Sequence, residues 1–171
     1  MQVVASLDPT TPLAAVPAFA RRVEAMGYDA LHVAETVHDG FAVSLLALEH
    51  TTTLLVRTSV VIAFPRSPMV TALGAWELAA FSGGRFELGL GTQIRQNIVD
   101  RFSVEWRDPV ARMGEYLDAL TAIWDAFQSG ERLRCPLGES PASPSDPLSD
   151  SASSSDSSRR AGTMRRSRGW R

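Results

Sequence analysis

Polar residues that can transfer protons follow several short apolar runs of the sequence. Asp8 follows the first run, Glu35 ends the second, and His38 comes three residues after it. Carboxylates and imidazoles are the side chains that most often act as general acids and bases. Glu35 is the strongest candidate, because a carboxylate that directly ends an apolar strand is costly unless it meets a partner or a ligand.

These residues also have structural interpretations. Asp8 and Thr36 fit ordinary loop or capping positions, and His38 precedes Asp39, which is well placed to cap a helix. His32 lies inside an apolar run and is expected to pack toward a helix or a barrel interior. Catalytic and structural roles therefore both stay open for His38.

Composition excludes several other kinds of site. Cys135 is the only cysteine in 171 residues, so no disulfide and no thiolate cluster can form within one chain. No two of the three histidines have metal-ligand spacing, so we expect no metal site. No serine or cysteine nucleophile motif is present either.

A net charge of −2 gives no electrostatic reason to expect nucleic acid. No run approaches the ~20 apolar residues of a membrane span, and we expect a cytoplasmic protein.

The elements that must position these residues alternate between strands and helices. Apolar runs of strand character span 2–7, 29–35, 57–64 and 86–91. The helices between and after them open at capping residues, mostly followed by proline, and several end at glycine. Their predicted starts are Thr11, Asp39, Ser67 and Asp108.

Alternating strands and helices favour a parallel sheet with right-handed crossovers. Two architectures fit this order: an open doubly wound sheet and part of a (β/α)8 barrel. The first strand leads into "SLDP", without the G-x-G-x-x-G turn of a dinucleotide-binding fold. In either architecture ligands bind at the carboxyl ends of the strands, so we expect a pocket there. The residues expected to surround it are Asp8, Glu35, Phe64 and Thr92.

Gly89 and Gly91 interrupt the last predicted strand, where glycine is normally avoided. Their missing side chains leave room for a planar group or another backbone to approach closely. Alternatively, they accommodate a bulky neighbour such as Trp76 or Phe86.

The connection after this strand, residues 93–107, is long for a βα loop. Ile94, Ile98 and Phe102 recur at four-residue spacing, which predicts a short amphipathic helix. A long loop at the ligand-binding end is expected to form a wall or lid of the site.

The chain divides into two regions of different character. Residues 1–134 have the composition of a folded domain, whereas residues 135–171 are rich in Ser, Pro, Asp and Arg and lack a periodic apolar face. Such a segment buries too little surface to offset its ordering entropy, so we expect it to be disordered. It is interpreted as the product of a shifted reading frame or mispredicted gene, as a passive tail, or as a phosphorylatable or basic binding tail.

Three stretches together resemble the amino-terminal half of luciferase-like monooxygenases, nearest the branch associated with the deazaflavin F-420. They are "EAMGYDALHVAET", "RSPMVTALGAWELAAFSGGRFELGLGTQ" and "RFSVEWRDPVARMGEYLDALTAIW", and the similarity covers roughly residues 1–134. The resemblance implies an α/β fold that forms a partial (β/α)8 barrel of about four βα units. It also implies hydride transfer or oxygen activation at a bound cofactor, FMN or F-420.

The resemblance also implies roles for particular residues. Glu35 matches an acidic position beside the cofactor. Ala63 and Phe64 match a bulge of the third strand against the flavin ring, often made through a non-prolyl cis peptide bond. Gly91 and Thr92 match the end of the fourth strand, which lies against the ring or its ribityl chain, so that the glycines would clear room for the ring.

Two further residues complete the predicted site. His38 sits where some members of the family place a catalytic imidazole, so Glu35 and His38 are the predicted catalytic residues. Asp8 is assigned to cofactor binding with Ala63, Phe64, Gly91 and Thr92.

A complete barrel of this type takes about 250 residues, whereas this chain supplies four strands. We therefore expect a truncated flavin- or deazaflavin-dependent oxidoreductase. The alternatives are an inactive half-barrel, an oligomerising fragment, or an unrelated α/β binding module. An open sheet edge favours a homodimer in which two halves close one barrel.

Overall fold

The computed structural model describes residues 1–131, so the tail predicted for 135–171 lies outside the described residues. Six short strands alternate with four helices. The strands are β1 (Val4–Ser6), β2 (Ala30–Val33), β3 (Leu55–Thr58), β4 (Val61–Ile62), β5 (Phe86–Glu87) and β6 (Leu90–Gly91). The helices are α1 (Val16–Ala25), α2 (Gly40–Glu49), α3 (Pro68–Ser82) and α4 (Pro109–Ser129).

Every strand pairing is parallel. Four strands form one sheet in the order β1-β2-β3-β5, and β4 pairs with β6 beyond it. Sequence neighbours lie side by side, as they do around a (β/α)8 barrel and not in a doubly wound sheet. The predicted α/β fold, a partial barrel of about four βα units, is confirmed.

Local signals set most of the helix ends. Ser67 accepts a hydrogen bond from the N–H of Val70 at the start of α3, and Gly83 ends that helix at φ 64°. Asp108 accepts from the N–H of Ala111 at the start of α4. Thr11 does not cap α1 as predicted, because residues 13–15 form a 3-10 turn first and α1 begins at Val16.

The helices cover one face of the sheet. Buried side chains from β2, β3 and β5 pack there against α1, α2 and α3, and a second apolar cluster lies beneath α4. Among residues 1–131, no helix combines the length and apolar character needed to cross a membrane. The second cluster matters for the site, since it fixes the chain that leaves β4.

The third and fourth predicted strands are each broken in two. The run 57–64 contains the end of β3, which starts earlier at Leu55, and all of β4, with Ser59 and Val60 between them. The run 86–91 forms β5 and β6, with Leu88 and Gly89 between them. The breaks lie opposite each other, because Val56 pairs with Phe86 before them and Val61 pairs with Leu90 after them.

Arg85, whose role the sequence did not reveal, joins the ends of two helices to β3. Its guanidinium donates to the carbonyl oxygens of Leu48, Leu54 and Ser82 and to the hydroxyl of Thr51, at 3.1–3.2 Å. Carbonyl groups at the end of a helix have no partner within the helix, so a fixed cation there stabilises them.

Glu24 ties α1 to the loop before β3. Its Oε1 accepts hydrogen bonds from the backbone N–H groups of Thr52, Thr53 and Leu54 at 2.6–3.0 Å. Partial burial opposes ionisation of the carboxyl, but the bonds from Thr53, Thr52 and Leu54 together outweigh it and lower the pKa of Glu24.

Replacing Glu24 with glutamine is expected to lower the free energy of unfolding by about 1 kcal/mol at pH 7, because the charged acceptor is lost. A carboxyl whose pKa is lowered by folding stabilises the native state above its unfolded pKa, which is about 4.3. That contribution is lost as the pH falls through the folded-state pKa. Urea unfolding of both proteins at pH 7 and at progressively lower pH should show the difference shrinking, and a difference independent of pH would contradict this role.

Candidate functional site

Most of the predicted residues lie at or just beyond the carboxyl ends of the parallel strands. Glu35 follows β2, and its carboxylate meets Arg66, which lies between β4 and α3. Arg66 Nη2 contacts Glu35 Oε1, and Arg66 Nη1 donates to Glu35 Oε2 at 2.8 Å. The partner that a buried carboxylate requires is thus a bidentate arginine, which sequence reasoning missed.

Further hydrogen bonds surround this ion pair. Arg66 also donates to the carboxylate of Asp39 at 2.6 Å and to the carbonyl of Ile62 at 3.0 Å. Burial disfavours the charge on Arg66, but the hydrogen bonds and negative charges of Glu35 and Asp39 outweigh that effect and raise the pKa of Arg66. The guanidinium therefore stays charged and holds both carboxylates in place.

Glu35 forms hydrogen bonds with the segment that joins β3 to β4. The N–H of Ile62 donates to Glu35 Oε2 at 2.7 Å, and the N–H of Glu35 donates to the carbonyl of Val60 at 3.3 Å. Both carboxylate oxygens of Glu35 are therefore engaged by protein groups. Its predicted part in proton transfer stays a prediction, and the geometry favours a role in positioning residues 59–62.

The Ser59–Val60 segment contains the non-prolyl cis peptide bond. The resemblance implied that such a bond would lie at Ala63–Phe64, which was wrong. Both Ser59 and Val60 are exposed, whereas Ala63 and Phe64 are buried in the apolar cluster beneath α4. The strand break thus brings a different dipeptide to the surface from the one that the resemblance implied.

Phe64 has a packing environment of its own. Its ring lies edge-on to Trp106, with 5.8 Å between the ring centres, and the guanidinium of Arg112 lies 4.4 Å from the Phe64 ring centre. Arg112 also donates to the carbonyl of Phe64 at 3.2 Å. The cofactor-binding role predicted for Ala63 and Phe64 stays a prediction, because their surroundings are protein side chains.

The two glycines face the neighbouring strand segment. A Cβ on Gly89 would lie 2.1 Å from the carbonyl oxygen of Thr58, and a Cβ on Gly91 would lie 2.4 Å from Val60 Cγ2. Of the alternatives drawn from the sequence, close approach of another backbone is therefore confirmed for Gly89. Gly91 makes room for the side chain of Val60 and so lies directly beside the exposed segment.

Thr92 and Asp8 make local contacts at the same ends of the strands. The Thr92 hydroxyl donates to the carbonyl of Gln93 at 3.2 Å. The hydroxyl and the N–H of Thr10 both donate to Asp8 Oδ1, and these bonds lower the pKa of Asp8. Asp8 is exposed and forms a turn, so its assignment to a cofactor rests on position alone.

The loop after β2 carries an unpaired polar group. The hydroxyl of Thr36 is buried and has no hydrogen-bond partner among residues 1–131, although its carbonyl accepts from Arg101 at 2.6 Å. His38, two residues on, is half-buried, and its ring makes no hydrogen bond within the described part of the chain. A buried hydroxyl without a partner is uncommon and requires an explanation such as an ordered water or a ligand.

Arg101 belongs to the long connection that the sequence predicted to be a wall of the site. The short helix predicted in this connection is a single π-helical turn, Asn97–Arg101. Ile98 is fully buried in it, whereas Ile94 is exposed. Since Arg101 reaches Thr36, the loop does contact the chain that follows β2. Residues 1–131 contain no cluster of three or more His, Cys, Asp or Glu side chains able to hold a metal ion.

Comparison with known proteins gives one consistent family. The family described as luciferase-like monooxygenase matches residues 2–164, beyond the point where the sequence resemblance ended. An uncharacterised protein of Mycobacterium tuberculosis is 48% identical over 117 residues, which are 68% of this chain and 34% of that protein. A second protein of that organism, with the provisional name coenzyme F-420-dependent oxidoreductase, is 32% identical over 120 residues, again 34% of its length.

Solved structures show the same fold. The oxygenating constituent of 3,6-diketocamphane monooxygenase from Pseudomonas putida, in complex with FMN, matches with a TM-score of 0.63 and 14% identity over 72% of this chain and 40% of its own. The coenzyme F-420-dependent tetrahydromethanopterin reductase of Methanopyrus kandleri matches with a TM-score of 0.60 and 16% identity over 68% and 38%. The chain therefore spans about a third of the length of its sequence relatives.

Proposed function

The chain belongs to the luciferase-like monooxygenase family, and from that membership we propose that it carries one side of the cofactor site of a flavin- or deazaflavin-dependent oxidoreductase. One solved relative is a complex with FMN, and another is dependent on F-420. The proposed cofactor is accordingly FMN or F-420, and the proposed substrate is a small molecule.

The single observation that carries this proposal is the exposed Val60 side chain at the carboxyl ends of the strands. Val60 is 39% exposed although it lies between two buried strands and against Gly91. An exposed valine held by a buried ion pair is a suitable surface for one face of a flat heterocycle. The segment is fixed by Glu35 and Arg66, so the surface is formed before a ligand arrives.

The polar groups nearby also fit such a ligand. The Thr36 hydroxyl has no hydrogen-bond partner among the residues that the structure describes, and Thr92 carries a second hydroxyl directly after β6. In this proposal, Ser59, Val60, Gly91 and Thr92 contact the cofactor, and His38 is the group placed to hold or move a proton. When bound, FMN or F-420 supplies the ring that carries a hydride.

Fluorescence titration tests the proposal. Adding the purified 171-residue chain to FMN and, separately, to F-420 should change the emission of at least one cofactor in a saturable way. Replacing Val60 with aspartate should weaken that binding by about tenfold, because an apolar contact is replaced by a charge. The matched control is Val110→Asp, at another exposed valine near the start of α4, which should leave binding unchanged. No saturable change with either cofactor would refute the proposal.

The alternative is a half-barrel without catalysis. It is favoured by one observation: the four-stranded sheet ends at β1 on one side and at β5 on the other within the described residues. On this alternative neither cofactor binds, and the ion pair of Glu35 with Arg66 serves only folding. The titration therefore separates the two functions.

A further inference from the structure

The long connection that precedes α4, residues 93–107, is tied to the loop that follows β2. Arg101 Nη2 donates to the carbonyl oxygen of Thr36 at 2.6 Å, and Thr36 directly follows Glu35. A hydrogen bond from a charged donor is stronger than one between neutral groups. Arg101 therefore fixes the backbone on one side of the buried ion pair between Glu35 and Arg66.

The end of the same connection is tied to the turn between β4 and α3. The guanidinium of Arg112 donates to the carbonyl of Glu105 at 2.9 Å and to the carbonyl of Phe64 at 3.2 Å. It also lies 4.4 Å from the centre of the Phe64 ring, where attraction between a cation and an aromatic face adds to the hydrogen bonds. The N–H of Arg66 donates to the carbonyl of Ala63 at 3.0 Å, so Phe64 lies inside the turn that carries Arg66.

A buried side chain holds the connection itself in place. Ile98 is fully buried and packs in the apolar cluster beneath α4, which also contains Ala63 and Phe64. It belongs to the π-helical turn Asn97–Arg101, so the turn that carries Arg101 moves only at the cost of exposing Ile98. The connection is therefore a fixed support, and it contacts the chain beside both partners of the ion pair.

The ion pair passes this support on to the exposed segment between β3 and β4. Glu35 accepts from the N–H of Ile62 at 2.7 Å, and its own N–H donates to the carbonyl of Val60 at 3.3 Å. The second bond is longer than most N–H···O bonds, so the position of Glu35 depends on its neighbours as well. A shift of Thr36, or of the turn that carries Arg66, would therefore also shift Val60.

We propose that Arg101 is a positioning residue of the candidate site, which holds Glu35 where it fixes Val60 for a flat cofactor. This inference rests on the proposed function for its ligand, whereas the coupling between Arg101 and the Val60 segment is a property of the free chain. Loss of Arg101 lowers the fraction of molecules whose Val60 segment has the binding conformation. The apparent Kd for the cofactor rises in inverse proportion to that fraction.

Hydrogen exchange of the free chain tests the coupling without any cofactor. Arg101→Met removes the donor and keeps much of the apolar stem, and it should speed exchange at the amide of Ile62, which Glu35 otherwise holds. The amide of Val56, which is bonded to Arg85 near the amino end of β3, should exchange as before. Exchange at Ile62 that does not change would overturn the proposal. So would faster exchange at Ile62 and Val56 alike, since it would show general destabilisation.

Two further variants make the assignment specific. Arg101→Lys keeps the charge and one donor, and the contact with Thr36 uses a single bond, so exchange at Ile62 should stay near that of the unaltered chain. The matched control is Arg95→Met, at another exposed arginine of the same connection, and it should leave Ile62 unchanged. Equal effects of Arg95→Met and Arg101→Met, or no recovery with lysine, would contradict the role of Arg101.

Cofactor titration then connects the coupling to the site. With whichever of FMN and F-420 the unaltered chain binds, Arg101→Met should raise the Kd by about tenfold, and Arg101→Lys and Arg95→Met should raise it much less. An unchanged Kd for Arg101→Met would refute the positioning role. Weaker binding without faster exchange at Ile62 would also refute it, because Arg101 would then act by touching the cofactor directly.

The two readouts separate this inference from the proposed function. If the unaltered chain binds neither cofactor, the proposed function fails and the positioning role fails with it, even where exchange at Ile62 confirms the coupling. If the unaltered chain binds a cofactor and Arg101→Met changes neither readout, the proposed function stands and only the role of Arg101 is refuted.

Discussion

Replacing Arg66 with alanine is expected to lower the free energy of unfolding by about 3–5 kcal/mol, because it leaves a buried carboxylate without its cation. Only 8% of the Glu35 side chain is exposed, so its charge depends on protein groups for most of its stabilisation. Asp39 and the carbonyl of Ile62 lose a donor at the same time. Urea unfolding followed by circular dichroism measures the effect, with all proteins compared at one concentration.

Two further variants make this prediction specific. Arg21 is an exposed arginine of α1, and Arg21→Ala should change stability by no more than about 0.5 kcal/mol. The double variant Glu35→Leu with Arg66→Met should cost less than Arg66→Ala alone, because no unpaired charge remains. If Arg66→Ala cost no more than Arg21→Ala, the ion pair would not hold the segment between β3 and β4.

Gly89→Ala is expected to lower the free energy of unfolding by about 3 kcal/mol, at the upper end of the cost of overpacking. The added Cβ would lie 2.1 Å from a backbone oxygen, that of Thr58, and backbone cannot move aside as a flexible side chain can. Thr58 also exchanges two hydrogen bonds with Gly89 through its hydroxyl, at 2.8 and 2.9 Å, so both strands must shift together. Urea unfolding again measures the cost.

Gly114 provides the matched control. A Cβ there meets nothing within 4 Å, and the residue lies inside α4. Gly114→Ala should therefore raise stability by about 0.5–1 kcal/mol, since alanine favours the helix. Equal effects at Gly89 and Gly114 would show that the strands do not approach as closely as described.

The order of elements and most helix ends could be predicted because their signals are local. Ser67 caps α3, Pro68 opens it and Gly83 ends it, all within one stretch of sequence. The parallel sheet follows from the alternation of strands and helices. Local signals failed at the start of helix α1. Thr11 and Pro12 predicted a cap and a first helical turn, but a 3-10 turn follows them instead.

The details of the site depend on contacts between distant residues, which local patterns do not contain. Arg66 meets Glu35 across 31 positions of sequence, and nothing near either residue marks the other as its partner. The break at Ser59–Val60 likewise arises opposite Gly89, so a single run of strand-forming residues could not reveal it. The glycines were the available signal, since they marked a close approach without identifying what approaches.

The family resemblance identified the correct fold but assigned the bulge of the third strand to the wrong residues. It placed the bulge of the third strand at Ala63–Phe64, where the side chains prove to be buried beneath α4. Both places lie within one run of strand-forming residues, 57–64, so matching by sequence alone could not fix which of them forms the bulge. The exposed pair Ser59–Val60 is the feature on which the proposed site now rests.

Hydrogen exchange of the chain with and without cofactor tests the central proposal most directly. If FMN or F-420 lies at the carboxyl ends of the strands, saturating cofactor should slow exchange at the amides of Val60, Thr92 and Gln93. Amides at the opposite ends of the strands, such as that of Leu55, should not change. Protection confined to the outer surface of α2 and α3, or no protection at Val60 while the cofactor is bound, would contradict the account.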